Sequence, residues 1–173
     1  MIYIGKQIKN HDWKTLSIPK GKTDGSYRKG EQGVEVIYRR IKNSDQDQLF
    51  VLATKLATSF KPHSVDFTHV FHSLLKDKHV DLLVADKEEE LIGYILVFHH
   101  PTFYANGVIS WVEELFVSEQ HRGKGIGRSL MSKVERLSKE RGSKLVALAT
   151  RRADEFYKSI GYAESATYFK KTF

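Results

Sequence analysis

The chain has 173 residues, of which 40% are hydrophobic and 28% charged, a composition that fits one globular domain with a sizeable core. It contains no cysteine, so disulfides, thiolate metal sites, a cysteine nucleophile and any covalent thioester intermediate are excluded. The formal charge of +7 is unevenly placed: residues 1–33 carry +4, residues 34–117 carry −4 and residues 118–173 carry +7.

A basic stretch next to an acidic one suggests an anionic ligand bound by the first and a cationic one near the second. The start, MIYIGKQIKN, lacks a basic segment followed by a long apolar core. The longest apolar run, Leu91 to Phe98, is too short to span a bilayer, so a soluble cytoplasmic protein that binds no membrane is expected.

Residues 1–33 mix Lys and Gly with scattered Ile, Leu and Trp13 and show neither helical nor strand periodicity, so they are expected to form an extension of uncertain order ahead of a single domain over residues 34–173. From Val34 the pattern sharpens. VEVIYRRI alternates like a strand, and DQDQLFVLATKLATSF places Leu49, Leu52, Ala53, Leu56 and Phe60 on one helical face, closed by Pro62. A second helix is expected over VDFTHVFHSLLKDK. VDLLVADKEEELIGYILVFHH then reads as two strands joined by an acidic turn at Lys87 to Glu90.

PTFYANG is expected to be a loop and VISWVEELFV a further strand. A helix from Gly125 to Arg141 turns Ile126, Leu130, Val134 and Leu137 inward and is closed by Gly142. SKLVALAT, nearly all apolar, is expected as a strand central in the sheet. A short helix, ADEFYKSIG, and a last strand, SATYFKKTF, complete the order β-α-α-β-β-β-α-β-α-β.

Gly123, Gly125 and Gly127, flanked by Arg122, Lys124 and Arg128, lie where a strand gives way to a helix. Glycines let backbone amides approach a ligand closely, and a helix N-terminus adds partial positive charge, so the loop is built for phosphate oxygens. This loop is not a P-loop, because Gly123-Lys124 is followed by Gly125 where Ser or Thr is needed, and a dinucleotide fingerprint fails because Arg128 stands where its last glycine would be.

The pattern that does fit is Arg122, two residues, Gly125, one residue, Gly127, after a strand ending at Val117. A second run, TRRADEFYKSIGY, places Ala153, Phe156, Tyr157, Gly161 and Tyr162 downstream. In both motifs and in element order, residues 34–173 resemble the GNAT superfamily of N-acetyltransferases that use acetyl-CoA. The resemblance departs at Thr150, where the family usually has Asn. It implies an α/β (α+β) GNAT fold, with a central mixed, mostly antiparallel twisted sheet flanked by helices and splayed between its fourth and fifth strands.

By the same resemblance, backbone groups at Leu115, Phe116 and Val117 pair with the pantetheine arm, and the amides from Arg122 through Gly123, Lys124, Gly125, Ile126 and Gly127 to Arg128 hold the pyrophosphate. Thr150 and Phe156 also border the cofactor. Tyr157 occupies the general-acid position near the departing sulfur, and the Val117 N–H faces the developing oxyanion.

Amine attack on a thioester also needs a base. Glu113 and Glu114 sit in an otherwise apolar strand, where an unpaired carboxylate is costly. Alternation sends the two to opposite faces, and Glu113, matching the Glu of polyamine-type relatives, is favoured as the base, with Glu114 binding substrate. His99, Phe103 and Tyr104 are candidates to line the acceptor pocket, together with His100. His69 and His72 have metal-ligand spacing but no third ligand nearby, so no metal is expected. The expected partner is a small-molecule primary amine, polyamine-like or otherwise, with a protein amine or a non-catalytic acyl-CoA sensor as alternatives. No nucleic acid is expected, and the chain is expected to be a monomer or homodimer.

Overall fold

The computed structural model describes residues 35–57 and 60–172. The extension expected over residues 1–33 lies outside them. Five strands form one sheet in the order β1 (Ile37–Arg40), β2 (Val80–Lys87), β3 (Glu90–Thr102), β4 (Gly107–Val117) and β5 (Val146–Leu148). The first four are antiparallel neighbours and β5 runs parallel to β4.

Helices cover both faces. Between β1 and β2 the chain makes α1 (Gln46–Leu56) and α2 (Ser64–Lys76), which bury Leu49, Leu52 and Phe71 against Leu82, Val84, Tyr94, Leu96 and Phe116. On the other face α3 (Ile126–Glu140) buries Ile126, Leu130, Met131 and Val134 against Leu83, Ile92, Ile95, Val97 and Val112. Because β2 and β3 are covered on both sides, they read as near-continuous apolar runs. A short α4 (Asp154–Ser159) follows β5.

The acidic β2–β3 turn is a tight hairpin. Glu88 and Glu89 adopt φ values of 53° and 67°, the left-handed conformation that matches strand twist. Asp86 Oδ1 accepts the Glu89 amide at 2.9 Å, and the Gln48 side chain clamps the turn onto α1 by bonding Glu89 O and the Leu91 amide. Gly142, at φ 73°, closes α3 as expected and donates to Lys139 O.

Four expectations change. α1 ends at Leu56, where Ala57 turns extended (ψ 126°), so Phe60 is not on its inward face and is exposed. β3 continues through Pro101 to Thr102, which shortens the expected loop to its Phe103–Asn106 tip. SKLVALAT yields only the three residues of β5, at the edge of the described sheet: its apolar side chains pack under α3 instead of filling a two-sided strand. Residues 163–172 form no strand, and Tyr168 and Phe169 are exposed. Alternation is a local signal, whereas a strand needs an edge to pair with.

A buried ionic cluster ties the layers together. Asp81 on β2 accepts from Arg141 Nε and Nη2 at 3.0 and 2.9 Å, pairs with Arg40 at 2.7 Å and meets His99 Nε2 at 2.9 Å. His99 Nδ1 continues to Ser110 Oγ at 2.8 Å, which reaches Ser143 Oγ at 2.7 Å. Burial alone would raise the Asp81 carboxyl, but the hydrogen bonds from His99, Arg141 and Arg40 outweigh it and hold the group well below the usual carboxylate range.

Removing one partner from such a cluster leaves buried charge uncompensated, so Asp81→Asn should cost about 3 kcal/mol in urea denaturation. A depressed carboxyl stabilises the fold above its unfolded pKa of about 3.9 and loses that contribution as pH falls toward its folded value. The stability gap between wild type and Asp81→Asn should therefore shrink below about pH 4. A gap that stays constant in that range would contradict the assignment.

Candidate active site

β4 pairs with β3 along its whole length but with β5 only at Ser110–Val146, Trp111–Ala147 and Val112–Leu148. Beyond Val112 the two strands part, so one edge of β4 from Glu113 to Val117 has no strand beside it among the described residues. The Ser118 amide donates to Ile92 O on β3 at 2.8 Å, and because successive backbone groups alternate, those of Val117 and Leu115 face the gap. Arg122 Nε donates to Val117 O at 3.0 Å on that side. Phe116 does not share this role: a Cβ placed on Gly93 of β3 would lie 2.8 Å from Phe116 O, so that carbonyl points at β3. Of the three residues expected to meet the pantetheine arm, Leu115 turns both its backbone groups to the gap and Val117 its amide, while Phe116 is directed at β3.

The glycine loop follows directly. Gly123 and Gly125 have φ values of 73° and 80°, and a Cβ at either would meet nothing within 4 Å, so the backbone there is open to a ligand. The amides from Gly123 to Arg128 have no acceptor among the described residues, whereas Arg122 and Ser129 on either side donate to Glu119 O and Gly125 O. Buried Ile126 anchors the start of α3 beneath them. Arg122, Lys124 and Arg128 are exposed; Arg122 lies over the Phe116 ring at 5.8 Å, and Arg128 bonds Ser159 O at 3.4 Å.

Gly127 serves packing. A Cβ there would lie 3.3 Å from the Phe156 ring and 3.9 Å from the Val117 side chain, so α3, α4 and the parted end of β4 converge at this residue. On α4, half-buried Tyr157 packs against Phe156 and Tyr162 at centroid distances of 5.0 and 5.9 Å. Its hydroxyl has no hydrogen-bond partner among the described residues, and burial raises its pKa, so it holds its proton at neutral pH. Thr150 Oγ1 accepts the Ala153 and Arg152 amides at 3.1 and 3.4 Å and so fixes the turn into α4.

The two acids of β4 do not take opposite faces. The register with β3 shifts between Leu96 and Val97, which face Glu114 and Val112, leaving Glu113 as an extra residue in a β-bulge. The bulge turns both carboxylates toward the α1–α2 side. Glu113 is exposed, accepts from Trp111 Nε1 at 2.9 Å and borders an open cleft of about 450 Å³ with Asp77, His79, Phe98, His100 and Trp111. Glu114 lines a second cavity of about 300 Å³ between the sheet and the two helices. Its Oε2 accepts the buried Tyr94 hydroxyl at 2.6 Å, and burial is the main cause of its raised pKa, with the Glu113 charge adding to it.

Phe103 and Tyr104 sit exposed at the tip of the β3–β4 hairpin and line neither cavity. His99, also expected in the acceptor pocket, borders the cleft beside Glu113, and both its ring nitrogens are engaged in the Asp81 cluster. His69 and His72 are exposed, and no group of three or more potential metal ligands occurs among the described residues. Trp111 and Tyr94 were not legible as site residues. In sequence they are aromatics of apolar strands, and only the shifted register sets them beside the acids.

Residues 78–164 match the model of the acetyltransferase (GNAT) domain. The chain belongs to the GNAT family and is an N-acetyltransferase. It is 27% identical over 137 residues to the aminoalkylphosphonate N-acetyltransferase of Salmonella typhimurium, a match covering 77% of this chain and 88% of that protein. An uncharacterised N-acetyltransferase of Methanocaldococcus jannaschii is 37% identical over 60 residues, which is 32% of this chain and only 26% of the relative. Among solved structures, a transcriptional regulator from Bacillus halodurans superposes with a TM-score of 0.73 at 27% identity, over 80% of this chain and all of that one. The parted sheet and glycine loop are therefore this N-acetyltransferase's version of a fold whose members use acetyl-CoA. No helix among the described residues is long and apolar enough to cross a membrane.

Open space over Gly125 and the free amides around it fit a pyrophosphate. Gly125→Ala puts a methyl into that space at a left-handed φ, so CoA affinity by calorimetry should fall by about tenfold or more, the worth of one charge-assisted hydrogen bond. Unchanged affinity in a folded variant would refute the assignment.

Proposed function

We propose that the enzyme transfers the acetyl group directly to the primary amine of a small molecule, with acetyl-CoA and acceptor bound together. The observation that carries this reading is the bulge in β4, which places two carboxylates on one face of the strand where its edge leaves β5. Acetyl-CoA supplies the activated acetyl thioester. Leu115 offers its backbone groups to the pantetheine arm, and the amides from Gly123 to Arg128 receive the pyrophosphate.

Glu114 holds the acceptor's ammonium, using the carboxylate oxygen that Tyr94 leaves without a partner. Glu113, exposed to water, takes the proton that the amine must lose, directly or through a water molecule, and passes it to solvent. The Val117 amide donates to the oxygen that gains charge as the nitrogen attacks. Tyr157 protonates the departing sulfur. Its raised pKa suits a group that must arrive protonated, and its unpartnered hydroxyl is free to donate.

The roles separate kinetically. Tyr157→Phe should lower kcat by about 10²-fold with CoA affinity retained, and Glu113→Gln should likewise lower kcat. Glu114→Gln should act mainly on the KM of the amine. Wild-type turnover in Tyr157→Phe, or a Glu113→Gln variant altered only in KM, would contradict these assignments.

A further inference from the structure

We infer that the acceptor carries its amine on an uncharged hydrocarbon body, alkyl or aryl, which occupies the cavity that Glu114 lines; this rests on the reading of Glu114 as the group that holds the ammonium. The cavity of about 300 Å³ reaches the lower end of the range for small-molecule sites, far above the size of an ordinary packing void. Its walls include Leu49 and Leu56 from α1, Phe67 and Leu74 from α2, and Leu96 from β3. Glu114 is part of the same lining, and its Oε1 has no partner among the described residues.

The charges present decide what the body can be. No Lys or Arg lines the cavity among the described residues, so a phosphonate or carboxylate on the acceptor would be desolvated without a counter-ion. Besides Glu114 and the buried Tyr94 that donates to it, the ionisable side chains of the lining are His63 and Asp66, both exposed. A second ammonium on a polyamine would meet leucine and phenylalanine instead of an acid along most of the wall. Glu88, Glu89 and Glu90, the densest acidic run of the sequence, are exposed at the β2–β3 turn and line neither cavity. A hydrocarbon body, by contrast, gains from every methylene it withdraws from water. The site thus diverges from what the Salmonella relative's name says of that protein.

The test compares thiol release from saturating acetyl-CoA with 2-phenylethylamine, hexylamine, 2-aminoethylphosphonate and 1,4-diaminobutane. The two apolar amines should exceed the others in kcat/KM by about tenfold or more, the worth of two buried methylenes. Ala53→Phe, which fills the cavity from α1, should weaken calorimetric binding of 2-phenylethylamine to the CoA complex by a similar factor and leave CoA affinity unchanged. Leu56→Gln, a milder change in the same wall, should weaken it in the same direction. Faster acetylation of the phosphonate or the diamine overturns the inference and leaves acetyl transfer to an amine standing, as do wall variants that fold and bind 2-phenylethylamine like wild type. Failure of all four amines to release thiol, with no binding of 2-phenylethylamine, overturns both.

Discussion

The site depends on one edge of β4 that, among the described residues, has no strand beside it from Glu113 to Val117. Backbone amides and carbonyls left without a partner away from water cost about 1–3 kcal/mol each, and a sheet ordinarily avoids them by continuing its ladder. Here the ladder stops because β5 is three residues long and hands the chain to the turn fixed by Thr150, which starts α4. On the proposed reading, what the sheet forgoes in pairing is a slot for an extended ligand. The same parting brings Gly127, Phe156 and Val117 together, so α4 with Tyr157 is fixed beside the slot by the packing that one missing Cβ permits.

The bulge gives the slot its chemistry. A regular strand would send Glu113 and Glu114 to opposite faces; the extra residue sends both toward α1 and α2, and the glycine loop and its amides open from the start of α3 on the other face. On the function proposed above, the sheet separates the side that takes the anion from the side that takes the amine and joins them at the parted edge. The charge split along the sequence reflects this only in part. Of the acids in residues 34–117, Asp45 and Asp86 are paired with Arg39, and Asp81 with Arg40 and Arg141. Those carboxylates hold strands together and exert little pull on an incoming cation. The basic surplus of residues 118–173 does include Arg122, Lys124 and Arg128, exposed at the loop.

Local signals were legible and non-local ones were not. The glycine loop, the amphipathic α3 and the Glu88–Glu89 hairpin turn follow from short-range rules of conformation and periodicity, and the structure keeps all three. The end of the sheet does not. SKLVALAT and SATYFKKTF carry strand-like sequences, but strand formation depends on which edge is available, a property of the assembled sheet. The bulge is hidden for a related reason: one slipped residue reverses every face assignment after it, and nothing in WVEELFV marks where the slip occurs. That slip misplaced the relation between Glu113 and Glu114 and concealed Tyr94 and Trp111. The bonds of His99 are hidden as well, because a lone histidine on an apolar strand gives no sign of the buried Asp81 that engages its ring.

Residue-resolved amide hydrogen exchange, followed by NMR with and without CoA, tests most directly the claim that the ligand completes the sheet at this edge. The account predicts that CoA slows exchange at Leu115 and Val117 and across Gly123 to Arg128, and leaves the Phe116 amide, already directed at β3, unchanged. Protection confined to other surfaces, with Leu115 and Val117 exchanging as fast in the complex as in the free enzyme, would contradict it.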